Sequence, residues 1–555
     1  MTSATARAPL GGEGWLYGRW RDLLFGCGLL YAAVFLGLLG FGRELRLAQP
    51  EVLFALAFLA ISIPHYGATL LRVYERARDR RAYALFSVWA TLLLAAVFAG
   101  SLFSPALGTL FVTVYFTWSP WHYTGQNYGI AVMFLRRRGV AIEGAEKRWL
   151  YASFVLSFLL VAIVSHGGGV GVRSADQYDG STGIAFAPLG IPLAWVSVLA
   201  PLVAALQLVA LAQSARQLSR RASLRTLAPV LALWLAQSLW FTLPYAALHF
   251  GWFGSVDALS GIHNNYYFMW VALAHAAQYM WVSAYYARQS GAQPSVPVFW
   301  AKATAAGAVV WTLPVLAFWQ PGLALLSPDS GVLLLVSAFA NLHHFVLDGA
   351  IWKLRGRIAQ VLIQSQPEVA DAAAPARRWP RRLIWASCGA LLLANAAGVV
   401  IEARWISALQ RRDLAGAQQS LELLHWLGRD RGSYHLVLAS GMLQVGAFEG
   451  ARKEAQRALA DGGSLEAHAA LARALVGLGE HSEAARTLEA ASALAPQRVD
   501  LAVNASRAWR AAGDRQRGLA LLERAAALAP HDAELARELA RVRRTVHSTH
   551  RSAAP

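Results

Sequence analysis

TWSPWHYTGQNYG, residues 117–129, lies inside a long apolar run and yet carries a histidine, a glutamine and an asparagine. Polar side chains at membrane depth are expensive, so an intramembrane ionisable group is a functional-site hypothesis by default. Three other apolar segments carry similar insertions: IPHYGATLLR around His65, ALAHAAQYMW around His275, and NLHHFVLDGAIWK around His343 and His344. The rest of the apolar region reads as a scaffold for these four stretches.

The chain has 555 residues, of which 56% are hydrophobic. Its apolar residues come in blocks of about twenty, the length that crosses a bilayer. This composition excludes an ordinary soluble protein. The net charge of +18 would point to nucleic acid in a soluble chain. Here the excess arginine lies mostly in short loops between apolar blocks, which makes it a topological signal and argues against a nucleic-acid partner. Cys27 and Cys388, the two cysteines, both fall inside apolar blocks and form neither a disulfide framework nor a CxxC motif.

The pattern predicts an all-α protein: a polytopic helical membrane bundle followed by a helical solenoid. Eleven spans are expected, at about 22–42, 52–71, 83–103, 107–135, 149–166, 190–212, 227–249, 265–287, 298–319, 331–352 and 383–402. The first reads as a retained signal anchor after a cytoplasmic N-terminus, residues 1–21. The fourth is long enough to be tilted or broken at Pro120. The membrane domain thus covers residues 22–363. A cytoplasmic linker at 364–382 precedes the last span. Basic residues cluster after the second, fourth, sixth and tenth spans, as in Arg136, Arg137 and Arg138. That alternation predicts a cytoplasmic N-terminus and, with an odd span count, a periplasmic C-terminal domain in a bacterial inner membrane. The glycine-rich stretch HGGGVGVRSADQYDGSTG, from His166, is the longest external loop; lacking a preceding strand and a following Lys-Ser/Thr, it is not a phosphate loop.

Residues 403–545 contain a repeat. Gly479 recurs as Gly513, Ala491 as Ala525 and Pro496 as Pro530, and a more divergent copy carries Gly446, Ala451 and Ala458 in register. The 34-residue period resembles the tetratricopeptide repeat (TPR). That resemblance implies stacked helical hairpins with a concave groove for a protein partner. A capping helix is expected over 533–545, and a disordered tail over 546–555.

His65, His122, His275 and the pair His343/His344 fall on the second, fourth, eighth and tenth spans, which all run in one direction. Each lies roughly 10–20 Å from the same end, so the rings can converge. Local spacing supports a lined cavity. His122 and Gln126 share a helix face, Gln278 and Tyr279 flank the face of His275, and His344 and Asp348 are four apart. Asp348 is a carboxylate beside a histidine, suited to ligate a metal or to orient a ligand. Adjacent histidines point about 100° apart, so His343 and His344 can serve different sites. His166, His249 and His263 fall at the opposite ends of their spans. The expected metal ligands are His65, His122, His275, His343 and His344, with Tyr123, Gln126 and Asp348 acting on substrate. Neutral imidazole suits iron, copper and zinc alike; iron, non-haem or as haem, is the first expectation.

The motifs WHYTGQNYG and HHFVLDGAIWK resemble those of a group of uncharacterised bacterial polytopic membrane proteins, some with C-terminal helical repeats. More distantly, the dispersed histidines are similar to those of membrane iron oxygenases of the carotene-cleaving type. The clustered HxxxH and HxxHH boxes of membrane desaturases and the HxH of haem–copper oxidases are absent. The expectation is a membrane metalloprotein, an oxidoreductase on a lipid-soluble substrate, with repeats that bind protein. Two other classes compete with it. One is an envelope glycan or lipid-linked transferase using Asp176 and Asp179; the other is a non-enzymatic membrane-anchored repeat scaffold.

Overall fold

The computed structural model describes residues 14–34, 36–37, 56–75, 77–167, 184, 186–245, 261–318, 332–366, 378–460 and 464–551. Several expectations therefore lie outside the described residues: most of the glycine-rich loop with Asp176 and Asp179, His249, the side chain of His263, much of the linker, and residues 38–55 at the first two expected spans. Among the described residues the structure is all-helical. It divides into two compact units at Val399/Val400.

The first unit contains α1 (Ile63–Tyr74), α2 (Thr91–Ser101), α3 (Pro105–Arg137), α4 (Gly144–Ser165), α5 (Leu193–Ser219), α6 (Leu224–Gln237), α7 (Gly261–Gln289), α8 (Val296–Phe318) and α9 (Val332–Ile351). The helix α10 (Arg378–Gln410) follows. Five helical stretches are long and apolar enough to cross a membrane: Gly144–Ser165, Leu193–Ser219, Leu224–Tyr245, Leu334–Ile351 and Arg382–Gln410. α3 is not one of them, and at 33 residues what it lacks is apolarity, not length.

Proline and glycine set the geometry around the histidines. α1 carries Pro64 in its first turn and is preceded by a widened turn, Phe58–Ser62, in which the Ile63 N–H reaches back to the Phe58 carbonyl. A proline ring clashes with the carbonyl four residues before it, and a wider turn relieves that clash. α3, expected to break near Pro120, runs through it as a continuous helix. α1 and α8 touch backbone to backbone: a Cβ on Gly67 would overlap the Ala303 carbonyl, and one on Gly307 the Ile63 carbonyl. Small residues are what permit such an approach.

The polar face of α3 is tied to its neighbours. Asn127 Nδ2 donates to Gln237 Oε1 of α6 (2.8 Å), and Gln237 Nε2 donates to Thr124 Oγ1 (2.9 Å) and Ser157 Oγ of α4 (2.8 Å). Each buried amide must find a partner, so this network fixes the rotation of α3 and hence the direction of His122. On its other side, Phe111 and Val112 of α3 pack with Leu335, Ala338 and Leu342 of α9.

The second unit is a run of paired helices: α11 (Leu414–Trp426), α12 (Gly432–Gln444), α13 (Phe448–Ala460), α14 (Leu465–Gly477), α15 (His481–Leu494), α16 (Val499–Ala511), α17 (Arg515–Leu528) and α18 (Ala533–Arg551). They form a repeat-like array. Gly446, Gly479 and Gly513 each follow the first helix of a pair with positive φ (75°, 80° and 93°), the left-handed residue that ends a helix cheaply only as glycine. The alanines that the period picks out, Ala451, Ala458, Ala491 and Ala525, are all buried. α18 continues past Thr545 to Arg551, so the start of the expected disordered tail is helical. Arg507 hydrogen-bonds Glu538 of α18 and, with Arg510, holds its carboxyl down at about 2 despite partial burial.

One buried titratable group stands out in this unit. His435 on α12 contacts Glu454 of α13 through Nδ1 (2.6 Å) and Asp430 through Nε2 (3.3 Å). Burial disfavours the charged ring, but these hydrogen bonds and the two carboxylates outweigh it and raise the His435 pKa. Asp430, also opposed by burial, is held below the usual carboxylate range by His435 and His425.

Candidate metal centre

Four helices of the first unit each contribute one ring to a single cluster. His65 comes from α1, His122 from α3, His275 from α7 and His344 from α9, and one ring nitrogen from each lies within 4.8 Å of the others. Ring centroids are 4.1 Å apart for His65/His344, 4.9 Å for His65/His275, 4.8 Å for His122/His275 and 5.1 Å for His122/His344. Three of the rings are fully buried and His122 is partly accessible.

The ring nitrogens are what a metal site requires. Buried polar atoms almost always have hydrogen-bond partners. Yet His65 Nε2, His122 Nε2, His344 Nε2 and both nitrogens of His275 are buried without one. A regular tetrahedron of the 4.8 Å limiting edge has its centre about 2.9 Å from each corner, roughly 0.9 Å beyond a histidine–metal bond. Side-chain shifts under about an ångström would close such a cage on an ion. The residues present fit a metal.

Surrounding hydrogen bonds orient His344 and favour one tautomer. The hydroxyls of Thr69 and Tyr279 both donate to Asp348 Oδ1 (3.0 and 2.9 Å). Trp352 Nε1 in turn donates to the Tyr279 oxygen (3.0 Å). With its proton committed, Thr69 Oγ1 accepts from His344 Nδ1 at 2.9 Å, so Nε2 presents a lone pair to the cluster. The second carboxylate oxygen, Asp348 Oδ2, faces that Nε2 at 3.2 Å without hydrogen-bond geometry, and lies 3.8 Å from His122 Nε2. A lone pair against a carboxylate oxygen is repulsive unless a proton or a metal cation lies between them. Asp348 Oδ2 lies beside the four imidazoles, at the His344/His122 side of the cluster.

Of the other residues singled out in the sequence, His343 is not in the cluster. Its ring stacks on Phe339 and its Nε2 lies 3.4 Å from the Tyr74 hydroxyl, because the next position on a helix points about 100° away. Tyr123 packs its ring on His275 (centroids 4.3 Å). Gln126 Nε2 donates to the His275 carbonyl (3.0 Å) and Gln278 Oε1 (3.3 Å), bracing α3 against α7. His166 is engaged elsewhere, with Nε2 at 2.9 Å from the Thr117 hydroxyl and Nδ1 accepting from the Leu189 N–H. Thr69 is the residue that the sequence reading passed over. Its one signal was position, four residues after His65 and so on the same face of α1.

A cavity of about 340 Å³ adjoins the cluster, bounded at one side by His122, Gln126, Tyr279 and Asp348.

Fold and site together define an all-helical protein with long apolar helices and a buried four-histidine cluster able to hold a metal ion. No family model, curated protein or solved structure matches the chain.

Proposed function

We propose that the protein is an integral membrane metalloprotein, an oxidoreductase acting on a lipid-soluble substrate, whose C-terminal TPR-like repeats recruit a protein partner. One observation carries the reading: four buried imidazoles from four helices converge with unpaired nitrogens. Five helices able to cross a membrane support the location. The spacing and basic loops of the sequence support eleven spans, with the N-terminus cytoplasmic and the repeats periplasmic.

His65, His122, His275 and His344 would hold the ion, and Asp348 would complete the set through Oδ2. Imidazole and carboxylate without thiolate suit iron, zinc or copper(II). The donor set favours a bare ion over haem, since the four rings meet one another edge to face and leave no slot for a macrocycle. When bound, the ion would supply Lewis acidity or a redox couple at the edge of the cavity. Thr69, Tyr279 and Trp352 keep the His344 and Asp348 donors aimed. His122, the partly accessible ring, is where a substrate in the cavity meets the cluster. Tyr123 and Gln126 hold His275 in place from α3.

The test is elemental analysis with an absorption spectrum on the full chain purified in detergent. The reading predicts one ion per chain, largely lost in His122→Ala and His344→Ala. No stoichiometric ion, or an ion retained in the variant with all four histidines changed to alanine, removes it.

A further inference from the structure

The cavity beside the cluster is open because three helical glycines line it. Gly125 and Gly129 of α3 and Gly349 of α9 each have empty space where a Cβ would stand. None has the positive φ that would require glycine. In a helix interior glycine is about 1 kcal/mol worse than alanine. These three therefore serve neither helix stability nor close packing, unlike Gly67 and Gly307. What they do is leave a trough between α3 and α9.

The trough has a direction. Along α3 it runs from Trp118 to Met133, about 22 Å at the helical rise. Trp118 and Trp121, each 37% exposed, stand at the end nearer His122. Ile130, Met133 and Leu354 line the other end, where Lys353 also borders the cavity. Lys353 is exposed and makes no ion pair among the described residues. Asp348, at the His122/Asp348 edge, lies five residues before Lys353, which stands two residues beyond the end of α9. At about 340 Å³ the space is at the lower end for a small-molecule site, enough for one chain and not for two.

From this arrangement, and resting on the metal-centre reading above, we infer that the substrate is a single-chain anionic amphiphile of the long-chain carboxylate class. Its headgroup sits at Lys353 and its apolar chain lies in the glycine trough. A carbon within the chain, not the headgroup, is thereby brought to the His122/Asp348 edge. The tryptophans flank the way in from the lipid.

The experiment uses the full chain in phosphatidylcholine nanodiscs, with a long-chain fatty acid carrying a diazirine near its methyl end, and the matching alcohol as the uncharged probe. Cross-links should map to the peptides holding Trp118–Met133 and Phe345–Leu354. The double variant Gly125→Leu/Gly349→Leu should cut labelling at least about tenfold, because the added side chains occupy the trough. Its metal content should match that of the unaltered chain, because a Cβ at either glycine meets no atom within 4 Å and the substitutions replace no donor. Lys353→Gln should weaken labelling by the acid about five-fold and leave the alcohol unchanged. Labelling that survives the double variant overturns the trough. Equal labelling by acid and alcohol overturns the anionic headgroup. Protein that labels as described but holds no metal refutes the metal centre while leaving the trough in place.

Discussion

Replacing Thr69 by valine keeps the shape of the side chain and removes one hydroxyl. That hydroxyl lies within hydrogen-bond distance of His344 Nδ1 (2.9 Å), Tyr279 (2.7 Å) and Asp348 Oδ1 (3.0 Å). Thr69 is 1% exposed, so bulk water does not replace what is lost. In Thr69→Val the His344 Nδ1–H has no acceptor, while Asp348 Oδ1 keeps the Tyr279 donor. A buried group left unpaired costs about 1–3 kcal/mol. Changes to groups that orient metal ligands typically cost about 10–100-fold in metal affinity, or roughly 1.4–2.8 kcal/mol. The two routes agree on a loss near thirty-fold, about 2 kcal/mol. Competition against a chromophoric chelator on the metal-loaded full chain reads this directly, and Thr69→Ser should restore most of the affinity. An affinity within about twofold of the unaltered chain would refute the role given to Thr69.

Three further outcomes follow from the structure. His343→Ala should leave metal content unchanged, whereas its neighbour His344→Ala should lose it; elemental analysis of the two side by side decides. Gly307→Leu should drive α8 off α1 and lower the melting temperature in detergent by several degrees, because its Cβ overlaps the Ile63 carbonyl; unchanged melting would contradict the backbone contact. In the repeats, His435 has a raised folded pKa, so its stabilising contribution is full below the ordinary value of 6.5 and is lost as pH rises through the higher folded value. Asp430, with a lowered pKa, loses its contribution only on acidification through that lowered value. Hydrogen exchange in α12, corrected for intrinsic rates, should therefore show protection that is constant below the ordinary value of 6.5 and falls as pH rises above it. Constant protection above that value would contradict it.

The centre was legible in the sequence to the extent that a histidine inside an apolar block has few cheap explanations. Four such blocks, expected to run in one direction at similar depth, were enough to expect His65, His122, His275, His343 and His344 to converge, and the structure brings together all of these but His343. Which of His343 and His344 takes part was not legible, because it depends on the rotation of α9 about its axis, and packing against α3 sets that rotation. Thr69 was hidden for a related reason. A threonine in an apolar helix commonly bonds a carbonyl of its own helix, as Thr113 and Thr117 do in α3, and only the fold turns one toward a histidine. The repeats were legible from period alone, since Gly446, Gly479 and Gly513 mark helix ends whatever the chain outside them does. The trough was not, because a helical glycine that leaves space and one that permits contact look alike until the neighbouring helix is placed.

The most direct test of the central claim is X-ray absorption at the edge of whichever metal copurifies with the full chain. The account predicts a first shell of about four to five nitrogen and oxygen donors near 2.0–2.2 Å, with the multiple scattering of several imidazoles, falling by one imidazole in His275→Ala. A first shell without imidazole scattering, or one indifferent to His275→Ala, would contradict it.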